Sequence, residues 1–428
     1  MRTFAWILYV SAVAAAGQPI APAPPQTRSV LIKGATVHVG NGRTIDDGAV
    51  GFRNGRIDHV GFSYGVKAAY DTVIDAAGGH VYPGFILPDN TIGLQEIELV
   101  RATDDVDELG DLEPEVRALT SYKTDSRIIP TVRNNGVLIA QVTPRGGTLP
   151  GTSAVVRLDA WDWEDAAVRP DDGVHMNWPG AFSRTGWWAE PGETVREKPE
   201  ERARKLDAIR RFFERARACV AQVPPGPLDP RMEALRGLFD GSKTLYVNAD
   251  LAREIQEAVL FAREMGVKRL VIVGGYDAWR VADLLRDNAV SVILQRVHSL
   301  PRRDDDDIDL PYRLPALLKE RGIRFCLGYR GNMERTGARN LAFTAGTAQA
   351  YGLTEEEAVQ AITLDAARIL GIDADYGSLE MGKSATLFLS TGPALDMRTN
   401  HLIQAFIDGR HIDLDDHQQQ LYRAYKAR

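Results

Sequence analysis

The sequence predicts an α/β fold, in which a (β/α)8 TIM-like barrel stands beside a small composite β-sandwich formed by the N- and C-terminal segments. In the middle of the chain, runs rich in β-branched residues are followed by helical sequence: TLYVNA, RLVIVGG, SVILQRV and IRFCLGY. Such units in series predict parallel strands with right-handed crossovers, and an eight-fold barrel is the economical completion. Both chain ends instead hold short β runs separated by turns, as in TIDDGAVGFRNGRIDHVG and HLIQAFIDGRHID.

The first 28 residues are expected to lie outside this fold. MRTFAWILYVSAVAAAGQ has one Arg, an apolar run from Phe4 to Ala16 and then small residues, which is the layout of a secretory signal peptide cleaved after Ala16. An apolar run of about 13 residues is shorter than the roughly 20 that a membrane-spanning helix needs. We therefore expect a secreted or periplasmic protein without a membrane span after cleavage. The Pro-rich residues that follow predict an extended linker.

The order of these sequence patterns along the chain predicts the domain organisation. We expect a signal peptide at 1–16, a linker at 17–28, the N-terminal part of the sandwich at 29–82, the barrel at 83–377, the C-terminal part of the sandwich at 378–413 and a tail at 414–428. In LTEEEAVQAITLDAARILG, Thr354 is the predicted helix N-cap, Glu357 completes a capping box and Gly371 ends the helix. A net charge of -7 with 25% charged residues does not favour nucleic-acid binding.

Three stretches carry a resemblance to a known superfamily. VIDAAGGHVYPGFI has a strand and a Pro-Gly turn that opens a barrel, NNGVLIAQVTPRGGTLPGTSAVV has a strand entering a Gly-rich loop, and GLTEEEAVQAITLDAARILGIDADYGSLEMGKSATLFL has a closing helix and a return to β structure. These stretches, spread over residues 30 to 410, resemble the amidohydrolase superfamily and in detail its imidazolonepropionase-like branch. The resemblance implies a hydrolase of non-peptide, cyclic-amide-type C–N bonds.

Intact members of that superfamily are metal-dependent. They hold one or two divalent ions, such as zinc, with His-X-His on barrel strand 1, a carbamylated Lys or Glu on strand 4, His on strands 5 and 6 and Asp on strand 8. The ions lower the pKa of a bound water to about 7 and supply hydroxide for attack on a carbonyl group.

This chain departs from the pattern at the implied ligand positions. Asp89 and Thr91 stand where the two strand-1 histidines would be, Asn248 falls at the strand-5 position and Tyr276 lies near the strand-6 position. The strand-8 motif corresponds to Gly328, Tyr329 and Arg330, so a permanent cation replaces the acid; no convincing strand-4 ligand is present. A zinc site needs three or four converging ligands. We therefore expect the binuclear site to be lost and predict no cofactor.

The histidine count agrees with this expectation, because only His175 and His298 of the eight histidines fall in the predicted barrel. Arg330 could pair with Asp89 across the barrel mouth, either as a structural salt bridge in a vacated cavity or as a ligand-binding group. His298 could be a general base or a packed loop residue. The candidate catalytic residues are thus Asp89, Arg330 and His298, and the candidate ligand-binding residues are Thr91, Asn248, Tyr276, Gln295 and Tyr329.

The segment from Leu158 to Trp188 holds five of the seven tryptophans and allows three interpretations: a dimer contact, an aromatic lid over the barrel mouth, or a hydrophobic cluster under a long loop. Two functions stay open. The chain could be an exported hydrolase with an altered, metal-poor mechanism, or a catalytically silent paralogue. In either case a small molecule is the expected ligand at the barrel mouth, and a homodimer or a heteromer with an active amidohydrolase is the expected assembly.

Overall fold

A computed structural model describes residues 21–97, 99–187, 190–222, 227, 229–331 and 333–428, with only the backbone described for 183–187 and 190–195. The predicted signal peptide therefore lies outside the described residues. Eight strands form a terminal sheet: β1 (Val30–His38), β2 (Thr44–Arg53), β3 (Arg56–Phe62), β4 (Thr72–Asp75), β5 (His80–Pro83), β16 (Leu387–Ser390), β17 (Leu402–Ile407) and β18 (Arg410–His411). Eight more form the barrel: β6 (Phe85–Asn90), β7 (Val137–Val142), β8 (Gly151–Arg157), β9 (Ala167–Asn177), β12 (Thr244–Ala249), β13 (Leu270–Gly274), β14 (Ser291–Leu294) and β15 (Phe325–Leu327).

The remaining elements surround these sheets. A hairpin is formed by β10 (Phe182–Trp187) and β11 (Glu190–Arg196). The helices are α1 (Ile128–Arg133), α2 (Trp163–Ala166), α3 (Pro199–Ala221), α4 (Pro230–Ala234), α5 (Arg236–Asp240), α6 (Ala252–Met265), α7 (Ala282–Asp287), α8 (Leu310–Glu320), α9 (Glu334–Gly337), α10 (Leu341–Ala350), α11 (Glu355–Ala361), α12 (Leu364–Leu370) and α13 (His417–Lys426). Within the described residues, none of the helices combines the length and apolar character that crossing a bilayer requires.

The barrel confirms the predicted fold class, with one departure in its strands. The hydrogen-bonded order is β15-β14-β13-β12-β9-β8-β7-β6. All neighbours pair in parallel except β8, which is antiparallel to both β7 and β9. Short connections join β7, β8 and β9, and an antiparallel strand can follow its neighbour without a crossover helix. The βα alternation therefore holds in the second half of the barrel, where the sequence predicted it.

The barrel is nearly closed, and α12 contributes to its floor. The Ile86 N–H of β6 donates to the Ile362 carbonyl just before α12, at 2.9 Å. Apolar side chains of α12 pack with Ile86, Val273 and Cys326 in a cluster that fills the barrel interior. Thr354 and Glu357 make the predicted capping box and Gly371 ends α12 with a φ of 68°, but the predicted single helix is divided into α11 and α12.

Both chain ends combine in one continuous sheet, while the predicted sandwich stays a prediction. β16 from the C-terminal segment pairs antiparallel with β5 from the N-terminal segment. Both β4 and β5 pair in parallel with β1. Aromatic rings connect this sheet to the barrel: the Phe388 ring of β16 stacks on Tyr82 at 5.4 Å and meets Phe85 edge-on at 4.9 Å. A Cβ at Gly136 would lie 2.6 Å from the Phe388 ring, and Gly136 has a φ of 90°, so this position requires glycine.

Three segments have more structure than the sequence indicated. The described linker residues, 21–28, lack regular secondary structure, yet the Ala23 N–H donates to Asp159 and the Gln26 side chain accepts from the Gly55 N–H. The predicted tail contains the exposed helix α13. In the Trp-rich segment, Trp178 packs in the core against Phe261, whereas Trp161 is exposed. The side chains of residues 187 and 188 lie outside the described residues, so the dimer and lid interpretations stay predictions.

Replacing Phe388 with Ala should lower the free energy of unfolding by about 3–5 kcal/mol, because it removes a fully buried ring at the junction between the sheet and the barrel. Urea denaturation followed by circular dichroism measures this loss. The exposed Met381→Ala variant is the matched control and should change the free energy by less than about 0.5 kcal/mol. Equal effects of the two substitutions would show that the aromatic junction does not stabilise the fold.

Candidate functional site

A buried ion cluster lies at the C-terminal end of the barrel strands, with the Asp89 carboxylate at its centre. Arg145, in the loop between β7 and β8, donates from Nη1 to Asp89 Oδ1 at 2.9 Å and from Nη2 to the Asp89 carbonyl at 3.0 Å. Arg330, three residues after β15, approaches Asp89 Oδ2 from the other side at 3.4 Å. The predicted proximity of Asp89 and Arg330 is present, but Arg330 makes one contact to the carboxylate rather than a bidentate pair.

The backbone aims Asp89 into this cluster. The pairing of β6 with β7 shifts register between Leu87 and Asn90, and Asp89 has a φ of 49°, in the left-handed region that Asp tolerates better than most residues. The Asn90 side chain donates to the carbonyls of Tyr329 and Glu334, which fixes the two loops against each other. The bulge therefore turns the carboxylate towards the arginines.

The cluster has balanced charge. Arg145 Nη2 also donates to Glu334 Oε1, the first residue of α9, at 2.9 Å. Two carboxylates thus face two guanidinium groups. Burial alone would raise the pKa of the Asp89 carboxyl, but the positive charges of Arg145 and Arg330 outweigh burial and hold that pKa well below its usual range. Asp89 is consequently ionised at neutral pH.

A second polar network lies directly beside the ion cluster and centres on Asp172 of β9. The Asp172 carboxylate accepts from the Ser153 hydroxyl at 2.7 Å, from Gln141 Nε2 at 2.8 Å and from the Tyr246 hydroxyl at 2.8 Å. Burial raises the pKa of this carboxyl. Gln141 also accepts from the Asp89 N–H at 3.0 Å, so one amide side chain joins the two networks.

His175 connects the networks on the other side and is held neutral. Its Nε2 lies 3.0 Å from Ser153 Oγ, and Ser153 already gives its proton to Asp172. The bonding assigns the Nε2–H tautomer, which leaves Nδ1 unprotonated at 3.8 Å from Asp89 Oδ1. Burial lowers the pKa of His175 to about 3, since Arg145 and Arg330 add to the effect and the attraction of Asp89 opposes it only in part.

Of the other candidate residues near the strand ends, Asn248 and Tyr276 have side-chain partners. Thr91 is buried just after β6. Asn248 donates to Asn177 Oδ1 at 3.0 Å, and its own buried Oδ1 has no partner among the described residues. The Tyr276 hydroxyl donates to Asp306 at 2.7 Å in a loop cluster rich in arginine. Gln295 is half-buried directly after β14.

The structure does not bring His298 and Tyr329 into the ion cluster. His298 Nε2 contacts the Thr347 hydroxyl of α10 at 2.6 Å, and its ring meets Tyr312 of α8, so it packs on the outer helices. The Tyr329 side chain lines a cavity outside the barrel instead of its mouth. The general-base hypothesis for His298 therefore has no support from its surroundings.

The residues at the implied metal positions do not fit a divalent cation. Both Asp89 oxygens face guanidinium groups, and these cations would repel a metal ion placed beside them. Within the described residues, no three His, Cys, Asp or Glu side chains converge in a way that could hold a metal ion. We derive no chemical step through a metal.

Sequence reasoning missed most of this network. It did not single out Arg145, Gln141, Ser153, Asp172 or Glu334, and it counted His175 without giving it a role. One pattern could have found part of the set: Gln141 interrupts the otherwise apolar strand VLIAQV, and Ser153 lies within the buried part of GTSAVVR. A polar residue within a fully buried strand requires a polar partner in the interior.

Comparisons with known proteins agree with this fold. The model of the Amidohydrolase family matches residues 312–412, from α8 to the terminal sheet. An amidohydrolase from Thermotoga maritima MSB8 has a similar structure with a TM-score of 0.76 and 23% identity, covering 90% of this chain and 99% of that one. An adenosine deaminase from Xanthomonas campestris with bound zinc is similar at a TM-score of 0.53 and 17% identity, covering 94% and 98%.

Molinate hydrolase is a third structural relative, at a TM-score of 0.52 and 16% identity, covering 90% of this chain and 95% of that one. No curated protein matches the chain in sequence. The family match and these neighbours confirm the predicted resemblance to the amidohydrolase superfamily. Its imidazolonepropionase-like branch stays a prediction.

A His175→Gln variant should flatten the dependence of stability on pH. The folded-state pKa is depressed, so between pH 6.5 and about 3 the unfolded chain binds a proton that the folded chain does not. The stabilisation from neutral His175 is thus complete above pH 6.5 and decreases by up to about 1.4 kcal/mol per pH unit below it. Urea denaturation from pH 7 to pH 5 measures how the free energy of unfolding changes with pH in the wild type and in the His175→Gln variant.

The exposed His401→Gln variant serves as the control for this experiment and should keep the wild-type slope. If the wild-type and His175→Gln slopes coincide, His175 is not held neutral by its surroundings.

Proposed function

We propose that this protein is a hydrolase of the amidohydrolase class that acts on non-peptide, cyclic-amide-type C–N bonds and uses guanidinium charge at the barrel mouth in place of divalent metal ions. The proposal rests on the hydrogen bonding and exposure of Arg330. Among the described residues it donates one hydrogen bond, to Asp89, while its side chain is 19% exposed. The family match and the fold support the reaction class.

Arg330 has the properties of a group that stabilises a developing oxyanion. Asp89 holds one nitrogen of the Arg330 guanidinium group, and the other N–H groups of Arg330 are available to donate to a ligand. When water adds to an amide carbonyl, negative charge develops on the carbonyl oxygen, and a fixed cation beside it lowers the barrier. Arg145 is more fully engaged, because Asp89 and Glu334 share its donors. We therefore assign the substrate contact to Arg330.

A second candidate function is a catalytically silent subunit that binds a small molecule or pairs with an active amidohydrolase. The properties of Asp89 and His175 favour this function, because neither residue is suited to act as a general base. Asp89 binds protons too weakly for general-base catalysis and His175 is completely buried. A positioned general base contributes about 10²–10⁴-fold to such reactions. If the protein is a hydrolase, its turnover should be slow by that factor.

Metal content and turnover, measured on one preparation, separate the two functions. The hydrolase proposal expects less than about one-tenth equivalent of metal per chain, with chelator-resistant hydrolysis of members of a cyclic-amide and dipeptide panel. Arg330→Met should then lower kcat/KM by about 10²-fold, as expected for loss of an oxyanion donor. Arg398→Met, at a side chain that is 84% exposed, should leave kcat/KM unchanged.

Three results decide against a metal-free hydrolase that uses Arg330. Stoichiometric zinc with chelator-sensitive turnover would restore a metal mechanism. Metal-free protein without turnover would leave the silent subunit, and pull-down of an intact amidohydrolase would then identify its partner. Unchanged turnover in Arg330→Met, with only lower stability, would make Arg330 a structural residue.

We also propose that the protein is exported, on the basis of the signal-like residues 1–16. Expression of the whole chain in a Gram-negative host should give a periplasmic product that begins at Gly17, which intact mass spectrometry measures. An Ala14→Arg, Ala16→Arg double variant should accumulate as uncleaved precursor, because both small residues at the cleavage site are lost. A cytoplasmic product that retains residues 1–16 would contradict export.

A further inference from the structure

A cavity outside the barrel, here called the arginine pocket, has no role in the proposed function. It lies between α1, the segment from α9 to Asn340 and the first turn of α13, and its volume is about 470 Å³. Arg127, Arg296 and Arg339 line it, together with the Tyr329 ring. Its volume is within the range of about 300–1,000 Å³ that small-molecule sites occupy.

The three arginines of this pocket make no ion pairs within the described residues. None of their guanidinium groups makes a salt bridge or a hydrogen bond there, and no Asp or Glu lines the pocket. Arg127 and Arg339 are exposed, and Arg296 is half-buried. Like charges that line one cavity without counter-charges repel one another, which an anion would relieve.

Arg296 provides an independent sign of a ligand. Its Nε atom is buried and has no hydrogen-bond partner among the described residues. Its guanidinium group lies over the Tyr329 ring at 5.7 Å, which orients it in the pocket. A buried N–H without an acceptor is unfavourable. An acceptor on a bound anion would satisfy it.

The nearest helix end also lines the pocket, through His417 and Gln418 in the first turn of α13. The N-cap carboxylate of Asp416 accepts from the Gln419 N–H at 2.7 Å and from Asn134 Nδ2 at 2.6 Å. This carboxylate offsets the partial positive charge of the helix N-terminus, so the positive charge of the pocket comes from its arginines.

We propose that the arginine pocket binds a small anion that bears a carboxylate or phosphate group. Guanidinium groups form paired, charge-assisted hydrogen bonds with both kinds of anion. Ile128 and the Tyr329 ring supply an apolar wall for the remainder of the ligand. The pocket is separate from the ion cluster, because Tyr329 faces the pocket while the next residue, Arg330, contacts Asp89.

Isothermal titration calorimetry of the full-length protein with inorganic phosphate and with succinate tests this proposal at low ionic strength. We expect saturable binding of at least one anion, weakened about tenfold or more in an Arg127→Gln, Arg296→Gln double variant. Arg43→Gln, at an exposed arginine in the connection between β1 and β2, should bind like the wild type.

Binding of phosphate alone or succinate alone supports the pocket and assigns its anion class. Absence of binding by both anions overturns the proposal. So does an equal loss in Arg43→Gln, which would indicate non-specific attraction. Circular dichroism verifies that the double variant is folded, and an Arg339→Gln variant gives a second test of the same pocket if it is not.

Discussion

The buried carboxylate of Asp89 is the constraint on which the barrel mouth depends. An ionised carboxylate removed from water costs several kcal/mol unless cations and hydrogen bonds compensate it. Arg145 and Arg330 supply that compensation from two different loops, and Glu334 completes the charge balance from α9. Removing any one member leaves an uncompensated charge in the interior. The loop after β7, the loop after β15 and the bulge of β6 are therefore held in one arrangement.

The protonation of the neighbouring network follows from this cluster. Two guanidinium groups near His175 make a positive imidazolium unfavourable, so the ring stays neutral and donates from Nε2 towards Ser153. Asp172, in contrast, has hydroxyl and amide partners, and its burial raises its pKa. Charge is thus concentrated at Asp89, and the His175 ring beside it is neutral. This distribution favours binding of a polarised carbonyl group at Arg330 over proton transfer.

Adjacent residues after β15 serve two different surfaces. Tyr329 lines the arginine pocket, whereas Arg330 contacts Asp89 in the barrel mouth. The Tyr329 carbonyl also accepts from Asn90, so the segment is tied to β6.

The sequence by itself determined the fold class, the joining of both chain ends and the caps around Thr354 and Gly371. These features depend on local periodicity, turn residues and motifs. The reversed strand β8, the pairing of Arg145 with Asp89 and Glu334, and the removal of His298 from the site were decided by the tertiary structure. The physical reason is that Arg145 is 56 residues from Asp89 and 189 from Glu334 in the chain. No local pattern specifies which distant charge a buried carboxylate meets.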